Sequence, residues 1–285
     1  MKKVLVTGAT GFIGNYVVNE LLKNNCSIIA TSANKHKAEQ ATWYNEVTYL
    51  PFDLAEFDPL INYYKFFHEP ELMVHLAWEG LPNYKASFHQ EINLPRHLAF
   101  LSNLTRNGLK DLTVTGTCFE YGMRDGCLSE DMPALPTNPY GKAKDSLRKE
   151  LEKLQRQHSF DLKWVRLFYM YGKGQNPNSL LSQLDRAIAN NEKIFNMSGG
   201  EQVRDFLPVE KVGAYIVKIA LQNKVTGIIN CCSGRPVTVK EFVENYLKET
   251  KRKISLNLGF YPYPDYEPMR FWGDDTKLNV ILNQS

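Results

Sequence analysis

A run of three glycines near the start of the chain constrains its fold more than any other stretch. The apolar run Val4–Val6 predicts a buried strand, and the apolar periodicity over Phe12–Leu22 predicts a helix. Gly8, Gly11 and Gly14 lie where the strand turns into the helix. Glycine allows a tight turn, and the N-terminus of a helix attracts phosphate groups. The spacing GxxGxxG at this position therefore predicts a turn that binds a diphosphate.

Composition excludes several classes of protein. The chain has 285 residues, 43% apolar and 23% charged, and its net charge of +3 gives no argument for binding nucleic acid. Its apolar runs are shorter than the ~20 residues of a membrane span. The first strand starts too early for a signal peptide, so we expect a cytoplasmic protein. The five cysteines form no CxxC pair and the six histidines show no metal spacing, which predicts reduced thiols and no metal site.

Further apolar runs predict a sheet of parallel strands. Strands are expected at 27–31, 47–54, 73–78 and 112–115. Because parallel strands end at the same edge of a sheet, their carboxyl ends form the crevice in which such folds bind ligands. Asp53 lies at the end of the strand 47–54, and we expect its carboxylate to face this crevice.

The residue after the second strand bears on which dinucleotide the turn prefers. In NAD-binding folds of this kind an acidic residue there binds the adenosine ribose. Here the position is Ser32, followed by Asn34, Lys35 and Lys37. A carboxylate would repel a 2′-phosphate, whereas a serine beside lysines would accept one. NADP(H) is therefore favoured, and NAD(H) is the alternative.

A tyrosine and a lysine one helical turn apart suggest acid–base chemistry. Tyr140 and Lys144 are four residues apart on a predicted helix, hence on one face. A tyrosine with the ordinary pKa of about 10 is a poor acid–base group at neutral pH. We expect the lysine cation to lower the pKa of Tyr140 toward the working range. Thr117, at the end of the neighbouring strand, offers a hydroxyl to a carbonyl or alkoxide oxygen.

The order and spacing of these pieces resemble the extended short-chain dehydrogenase/reductase family, which comprises nucleotide-sugar epimerases, dehydratases and reductases. The resemblance covers nearly the whole chain and includes segments at 165–175, 204–209 and 229–234. It implies an α/β protein with a Rossmann fold. A doubly wound parallel sheet would bind the cofactor, and a smaller, mostly C-terminal α/β lobe would bind the substrate.

The resemblance also implies how the chain is divided and what it binds. We expect the NADP-binding domain at 1–166 plus about 206–230, and the substrate-binding lobe at about 167–205 and 231–285. The expected partner is a nucleotide-sugar substrate, with no nucleic acid and no membrane. Many members of the family form a homodimer through a helix pair that includes the helix of Tyr140, and we expect the same here.

Residue roles follow from the resemblance, position by position. Thr117, Tyr140 and Lys144 would form the catalytic triad, in which Tyr140 exchanges a proton with the sugar oxygen. Lys144 would tune Tyr140 and hold the nicotinamide ribose, and Thr117 would orient the substrate oxygen. The implied cofactor-binding residues are Gly8, Thr10, Gly11, Phe12, Ile13, Gly14, Ser32, Asn34, Lys35, Asp53, Leu54, Leu76, Ala77, Trp78, Asn93, Tyr140 and Lys144. The implied substrate-binding residues are Trp78, Thr117, Tyr169, Asn178, Arg204 and Arg270.

Departures from the family pattern reduce the number of reactions that we expect the chain to catalyse. The 4,6-dehydratases have an Asp-Glu pair directly after the threonine, and those positions are Cys118 and Phe119 here. We therefore do not expect sugar dehydration. Cys118 is one position away from the cysteine of the 3,5-epimerase/reductases, so we expect it to be packed rather than catalytic. Tyr169 occupies a position where many members have an asparagine near the substrate, and Lys173 replaces a common proline.

With dehydration excluded, the expected reaction is the oxidation or reduction of a single carbon of the sugar. We expect an NADPH-dependent reductase of a nucleotide-linked 4-keto-6-deoxyhexose, because a reductase must exchange its cofactor in each turnover and the reducing pool of the cell is NADPH. One alternative is a nucleotide-sugar 4-epimerase with tightly held NAD. A second is a non-catalytic NADP-binding regulator, although such a protein has no need of all three triad residues. The nucleotide base, the sugar and its stereochemistry at C4 stay open.

Overall fold

A computed structural model describes residues 1–283 and has a seven-stranded parallel sheet at its centre. The sheet confirms the predicted α/β fold class. Its order changes direction between the first and fourth strands, and ligands bind at such a switch point. Across the sheet, the strands are β3 (Thr48–Tyr49), β2 (Ser27–Thr31), β1 (Lys3–Thr7), β4 (Leu72–His75), β5 (Asp111–Thr117), β7 (Asp161–Leu167) and β11 (Gly227–Cys231).

Helices cover both faces of this sheet because its strands are apolar on both sides. Val4 and Val6 face one core, and Leu5 between them faces a second core on the other side of the sheet. The helices are α1 (Phe12–Lys23), α2 (Lys35–Glu39), α3 (Tyr63–Phe66), α4 (Leu94–Arg106), α5 (Pro139–Gln157), α6 (Leu180–Ala189), α7 (Val209–Leu221), α8 (Val239–Glu249) and α9 (Thr276–Leu282). No helix within residues 1–283 has the length and apolar character needed to span a bilayer.

Smaller sheets contain the remaining strands. A third core, which includes Leu184, Phe195 and Val243, lies between α6 and α8. The predicted domain limits stay a prediction. The three small sheets are β12 (Pro236–Thr238) with β10 (Val203–Pro208) and β8 (Tyr169–Tyr171), β9 (Ile194–Asn196) with β13 (Ser255–Asn257), and β6 (Gly126–Leu128) with β14 (Phe271–Gly273).

Three predicted strands have different lengths in the structure. The strand expected at 73–78 is Leu72–His75, so Leu76, Ala77 and Trp78 lie in the loop after it. The strand expected at 47–54 is ordered as a strand only over Thr48–Tyr49. Asp53 instead accepts a hydrogen bond from the Ala55 N–H at 2.8 Å and begins a short 3₁₀ turn. The strand expected at 112–115 extends to Thr117, which places that hydroxyl at the carboxyl edge of the sheet.

Candidate active site

A cavity of about 410 Å³ lies at the carboxyl ends of β1, β4 and β5. The turn after β1, the loop after β4 and the start of α5 form much of its wall. A larger cavity, of about 630 Å³, lies against α7, α8 and α9 and contains none of the predicted site residues. The predicted residues that line the smaller cavity are Gly8, Gly11, Phe12, Ile13, Gly14, Leu76, Trp78, Thr117, Tyr140 and Tyr169.

The glycine turn is packed so closely that side chains have no room there. Gly8 has φ +67°, and a Cβ on it would lie 2.8 Å from the Ala77 backbone nitrogen. A Cβ on Gly14 would collide with the Gly8 carbonyl oxygen. Gly11 begins α1 without a side-chain cap, so the first helical N–H groups are available to a ligand. Thr10 is buried beside the turn. This cradle fits the diphosphate of a dinucleotide.

The end of β2 contains the residues predicted to choose between NADP(H) and NAD(H). The Ser32 hydroxyl forms a hydrogen bond of 2.9 Å with the Tyr49 hydroxyl. Asn34 caps α2, and the ammonium of the exposed Lys35 lies 3.8 Å from a Glu39 carboxylate oxygen. Ser32 and Lys35 therefore lie where the 2′-phosphate of NADP(H) is expected, and the Glu39 carboxylate lies beside Lys35.

Other residues predicted to bind the cofactor have clear structural contacts. Asp53 begins a 3₁₀ turn and Leu54 is buried in the core beneath it. The Asn93 side chain donates a hydrogen bond of 3.0 Å to the Glu79 carbonyl and so holds the loop after β4. A π-helical turn over His89–Asn93 directs this side chain toward the loop.

Local signals explain why the triad residues come together. Asn138 caps α5 by accepting a 2.8 Å hydrogen bond from the Gly141 N–H, and Pro139 opens the helix. A Cβ on Gly141 would lie 2.9 Å from the Phe119 carbonyl oxygen, so the helix approaches the turn after β5 closely. Tyr140 is consequently buried against Thr117 at the end of β5.

The electrostatics of Tyr140 differ from the sequence-based expectation. Burial raises the pKa of Tyr140, Tyr84 and Glu120 add to this effect, and the Thr117 hydroxyl opposes it only in part. The expectation that Lys144 lowers the pKa of Tyr140 is wrong, because Lys144 is directed elsewhere. Tyr140 is therefore a protonated phenol at neutral pH.

The Lys144 ammonium is held by two groups that the sequence pattern did not reveal. It donates a hydrogen bond of 2.9 Å to the Thr115 carbonyl and lies 4.0 Å from the ring centroid of Trp78. Burial lowers the pKa of Lys144 to about 7, and Glu120 opposes that change. A lysine with this pKa changes charge in the neutral range.

Sequence reasoning missed Glu120, which lies fully buried under the site. It accepts hydrogen bonds from the Thr117 N–H at 2.8 Å, from Trp164 Nε1 at 3.0 Å and from Arg166 Nε at 2.8 Å. Thr117 and Glu120 form a capping box around the turn Cys118–Tyr121. The pattern Thr-x-x-Glu is a local signal that could have identified this role.

Arg204, predicted to bind the substrate diphosphate, is buried and lies outside the lining of the cavity. Its Nη1 donates to the carbonyls of Val203 at 2.8 Å and Met269 at 3.0 Å. Its Nη2 lies 3.4 Å from a Glu267 oxygen. The Tyr169 hydroxyl donates to the same carboxyl group, and burial raises the pKa of Glu267 to about 7. Glu267 also escaped sequence analysis.

The other two predicted substrate residues are exposed. The Asn178 backbone N–H donates to the Asn176 side chain at 2.8 Å, and Gln175 and Asn176, rather than Asn178, line the cavity. The Arg270 N–H donates to an Asp125 carboxylate oxygen at 3.1 Å, and the side chain is solvent-exposed. The structure therefore brings Trp78, Thr117 and Tyr169 to the cavity and leaves Asn178, Arg204 and Arg270 outside it.

The Cys118 side chain lines the cavity beside Thr117. Burial raises the pKa of the Cys118 thiol to about 12, so it stays protonated at neutral pH. Over residues 1–283, no group of three or more His, Cys, Asp and Glu side chains is arranged to hold a metal ion.

The chain as a whole is similar to known proteins. A model of the NAD dependent epimerase/dehydratase family matches residues 4–232. The chain is 29% identical over 276 residues to dTDP-6-deoxy-L-talose 4-dehydrogenase (NAD(+)) of Aggregatibacter actinomycetemcomitans, and the match covers 95% of this chain and 98% of the relative. It is 24% identical over 304 residues to UDP-glucose 4-epimerase of Halalkalibacterium halodurans, covering 98% of this chain and 89% of that protein.

A solved structure confirms the fold. UDP-glucuronic acid 4-epimerase from Bacillus cereus, in complex with UDP-glucuronic acid and NAD, superimposes with a TM-score of 0.83 at 22% identity. The superposition covers 99% of this chain and 93% of that one. At this identity the likeness shows a shared architecture alone.

Proposed function

We propose that this chain, which belongs to the NAD dependent epimerase/dehydratase family, reduces the 4-keto group of a nucleotide-linked 4-keto-6-deoxyhexose. The observation that carries the proposal is the arrangement of Thr117 and Tyr140 on one wall of the cavity that the glycine turn closes. Lys144 lies one helical turn behind Tyr140. Reduction of a ketone requires a hydride at carbon and a proton at oxygen. The glycine turn would hold the dinucleotide that supplies the hydride, and Tyr140 has a phenol suited to supply the proton.

The glycine turn and Lys144 would hold a nicotinamide dinucleotide. Gly8, Gly11 and Gly14 leave room for a diphosphate against the first turn of α1. Lys144 would bind the ribose next to the nicotinamide. When bound there, the dinucleotide supplies the hydride.

Tyr140 is suited to donate the proton that reduction needs. Its pKa is raised by burial, so the phenol is protonated at neutral pH and can act as a general acid toward the C4 oxygen. Thr117, fixed at the end of β5, would donate a hydrogen bond to the same oxygen.

Two observations support 4-keto-6-deoxyhexose chemistry over other reactions of the family. Cys118 and Phe119 offer no carboxylate where elimination of water would need one. The relative from Aggregatibacter actinomycetemcomitans is named for the oxidation of a 6-deoxyhexose at C4, which is the reverse of the proposed reaction on the same bond. One site catalyses both directions of such a step.

The proposed reductant is NADPH. Ser32 and Lys35 lie at the end of β2 without the acid that would repel a 2′-phosphate. The cited relative and solved structure are named with NAD, so the preference has to be measured in this chain. The expected result of calorimetric titration is tighter binding of NADPH than of NADH, reversed or erased by Ser32→Asp. Tighter NADH binding to the unmodified protein would overturn this part of the proposal.

The experiment that tests the reaction is a panel of nucleotide 4-ketosugars with NADPH, followed by the loss of nicotinamide absorbance. Tyr140→Phe removes one hydroxyl and should lower turnover by ~10²–10⁴-fold while leaving dinucleotide affinity nearly unchanged. Tyr246→Phe is the matched control, since its phenol binds Asp185 beside α8, away from the cavity lining. If Tyr140→Phe keeps the parental rate within a few-fold, the assigned proton donor is wrong.

A nucleotide-sugar 4-epimerase is the second candidate, because one of the relatives bears that name. An epimerase would interconvert C4 epimers without added dinucleotide and would release NAD when denatured. A non-catalytic NADP-binding regulator would bind the dinucleotide and turn over none of the panel. The homodimer through the helix of Tyr140, the cytoplasmic location and the domain limits stay predictions.

A further inference from the structure

The indole ring of Trp78 is in direct contact with Lys144, a member of the proposed triad. Its centroid lies 4.0 Å from the Lys144 ammonium, well within the distance of a cation–π interaction. Trp78 also lines the cavity, 6.0 Å from the ring centroid of Tyr140. The ring therefore contacts Lys144 and also lines the cavity.

Two histidines fix the orientation of this ring. Trp78 Nε1 donates a hydrogen bond of 3.1 Å to His89 Nδ1, and the indole stacks on His97 at 4.5 Å with an interplanar angle of 22°. His97 in turn bonds His75 at 2.7 Å, and His75 bonds the Thr7 hydroxyl at 2.8 Å. Because one edge and one face of the ring are held independently, the other face meets Lys144 in a single defined position.

Lys144 needs a second partner for its charge. The side chain is 2% exposed, and among residues 1–283 its hydrogen-bond partner is the Thr115 carbonyl at 2.9 Å. No carboxylate of the described chain lies within ion-pair distance of it. An ammonium has three donors, so one carbonyl leaves most of its charge uncompensated in a buried site. The face of an indole is the strongest aromatic partner for such a cation.

We propose that Trp78 is a positioning residue that keeps the Lys144 ammonium charged and in place, and thereby sets the pH range in which the site binds a dinucleotide. The inference rests on the proposed function for the identity of the ligand. It goes beyond that function because it assigns the control of Lys144 to a tryptophan outside the triad.

Lys144 changes charge near neutral pH, whereas the titratable groups around it keep their charge state there. His75, His89 and His97 come from β4, the π-helical turn and α4, and burial lowers the pKa of each, that of His75 to about 3. These rings are neutral at pH 7. Glu120 faces Lys144 from the turn after β5 but is paired with Arg166, and Tyr140 on the same helix is protonated.

The test measures dinucleotide affinity against pH, with NADPH and NADH as probes. In the parent, affinity should fall as the pH rises through about 7, because Lys144 then loses its proton. Trp78→Leu removes the ring and keeps the site apolar, so the fall should move to lower pH by about one unit. Trp78→Phe keeps a weaker aromatic face and should shift the profile by less. Trp272→Leu, which removes a half-buried indole from β14, should leave it unchanged.

A second readout needs no dinucleotide. The titration of the Lys144 ε-carbon can be followed by ¹³C NMR, with the resonance assigned by its loss in Lys144→Met. The same order of pKa, parent above Trp78→Phe above Trp78→Leu, is expected. In a Lys144→Met background, Trp78→Leu should cause no further shift in the binding profile.

The two readouts separate the possible failures. If the NMR titration is the same in the folded parent, Trp78→Phe and Trp78→Leu, the inference is wrong. If the NMR order holds but neither dinucleotide binds the parent, the control of Lys144 stands and the proposed function fails. If the binding profile still shifts with Trp78→Leu in the Lys144→Met background, the ring acts through another group and the inference is overturned.

Discussion

Replacing Glu120 with glutamine should destabilise the protein far more than the small chemical change suggests. Glu120 and Arg166 are both fully buried, and Glu120 Oε2 lies 2.8 Å from Arg166 Nε. The two terminal nitrogens of Arg166 have no hydrogen-bond partner among the described residues, and the cation otherwise rests 4.3 Å from the ring centroid of Tyr121. Glu120→Gln therefore leaves a buried positive charge with an aromatic ring as its remaining partner.

The expected loss of stability follows from the three groups that donate hydrogen bonds to Glu120, which are the Thr117 N–H, Trp164 Nε1 and Arg166 Nε. A glutamine oxygen can still accept from the Thr117 N–H and from Trp164, but its NH₂ group then faces the Arg166 N–H. Breaking one side of a buried ion pair costs about 3–5 kcal/mol. For a chain of this size a change of 1 kcal/mol moves the unfolding temperature by roughly 2 °C, so a fall of roughly 6–10 °C is expected.

Thermal unfolding followed by circular dichroism measures the effect, with two matched variants. Glu120→Gln combined with Arg166→Met removes the charge as well as its partner, and should recover most of the lost stability. Glu244→Gln breaks an exposed pair with Lys240 at 3.8 Å and should cost less than about 1 kcal/mol. A fall of under about 2 °C for Glu120→Gln alone, or no recovery in the double variant, would refute the reasoning.

Two further predictions concern the cavity and the carboxyl group near it. Incubation with dTDP-glucose or GDP-mannose and NAD should give no product that has lost water. The reason is that the Cys118 thiol is protonated and Phe119 has no acid–base group. Detection of such a product by mass spectrometry would contradict this. Burial raises the pKa of Glu267 from 4.5 to about 7, so the folded state favours the protonated form and loses stability as the pH rises through 7. The change in the free energy of unfolding caused by Glu267→Gln should therefore be more favourable at about pH 8 than near pH 4.5, by on the order of 1–3 kcal/mol. Equal effects at both pH values would contradict this.

The central sheet could be predicted because its strands are buried on both faces. Leu5 and its neighbours Val4 and Val6 enter different cores, so every position of β1 must be apolar and the run is visible in the sequence. The edge strand is different. Within 47–54 only Thr48–Tyr49 is a regular strand, although the Leu50 and Phe52 N–H groups still donate to the carbonyls of Ala30 and Ser32. An edge strand pairs on one side only, so its apolar pattern does not fix its length.

The spacing of the three proposed triad residues could be recognised in the sequence, but their electrostatics could not. The spacing of Tyr140 and Lys144 is a local property of a helix, and Asn138 and Pro139 mark where that helix begins. Their pKa values depend instead on what packs against them from elsewhere in the chain. Lys144 turns to Thr115 and Trp78, so its charge does not lower the pKa of Tyr140 as the spacing alone suggests.

Arg204 shows why a role implied by resemblance can depend on residues far along the chain. A guanidinium suits a phosphate because of its fork of donors, but here Nη1 is already bound to the carbonyls of Val203 and Met269. Its Nη2 faces Glu267, whose carboxyl group also accepts from the Tyr169 hydroxyl at the cavity wall. No local pattern links these residues, since they come together only when the C-terminal segment packs across β10. In this arrangement a diphosphate could bind the Arg204 guanidinium only by displacing the Glu267 carboxyl group.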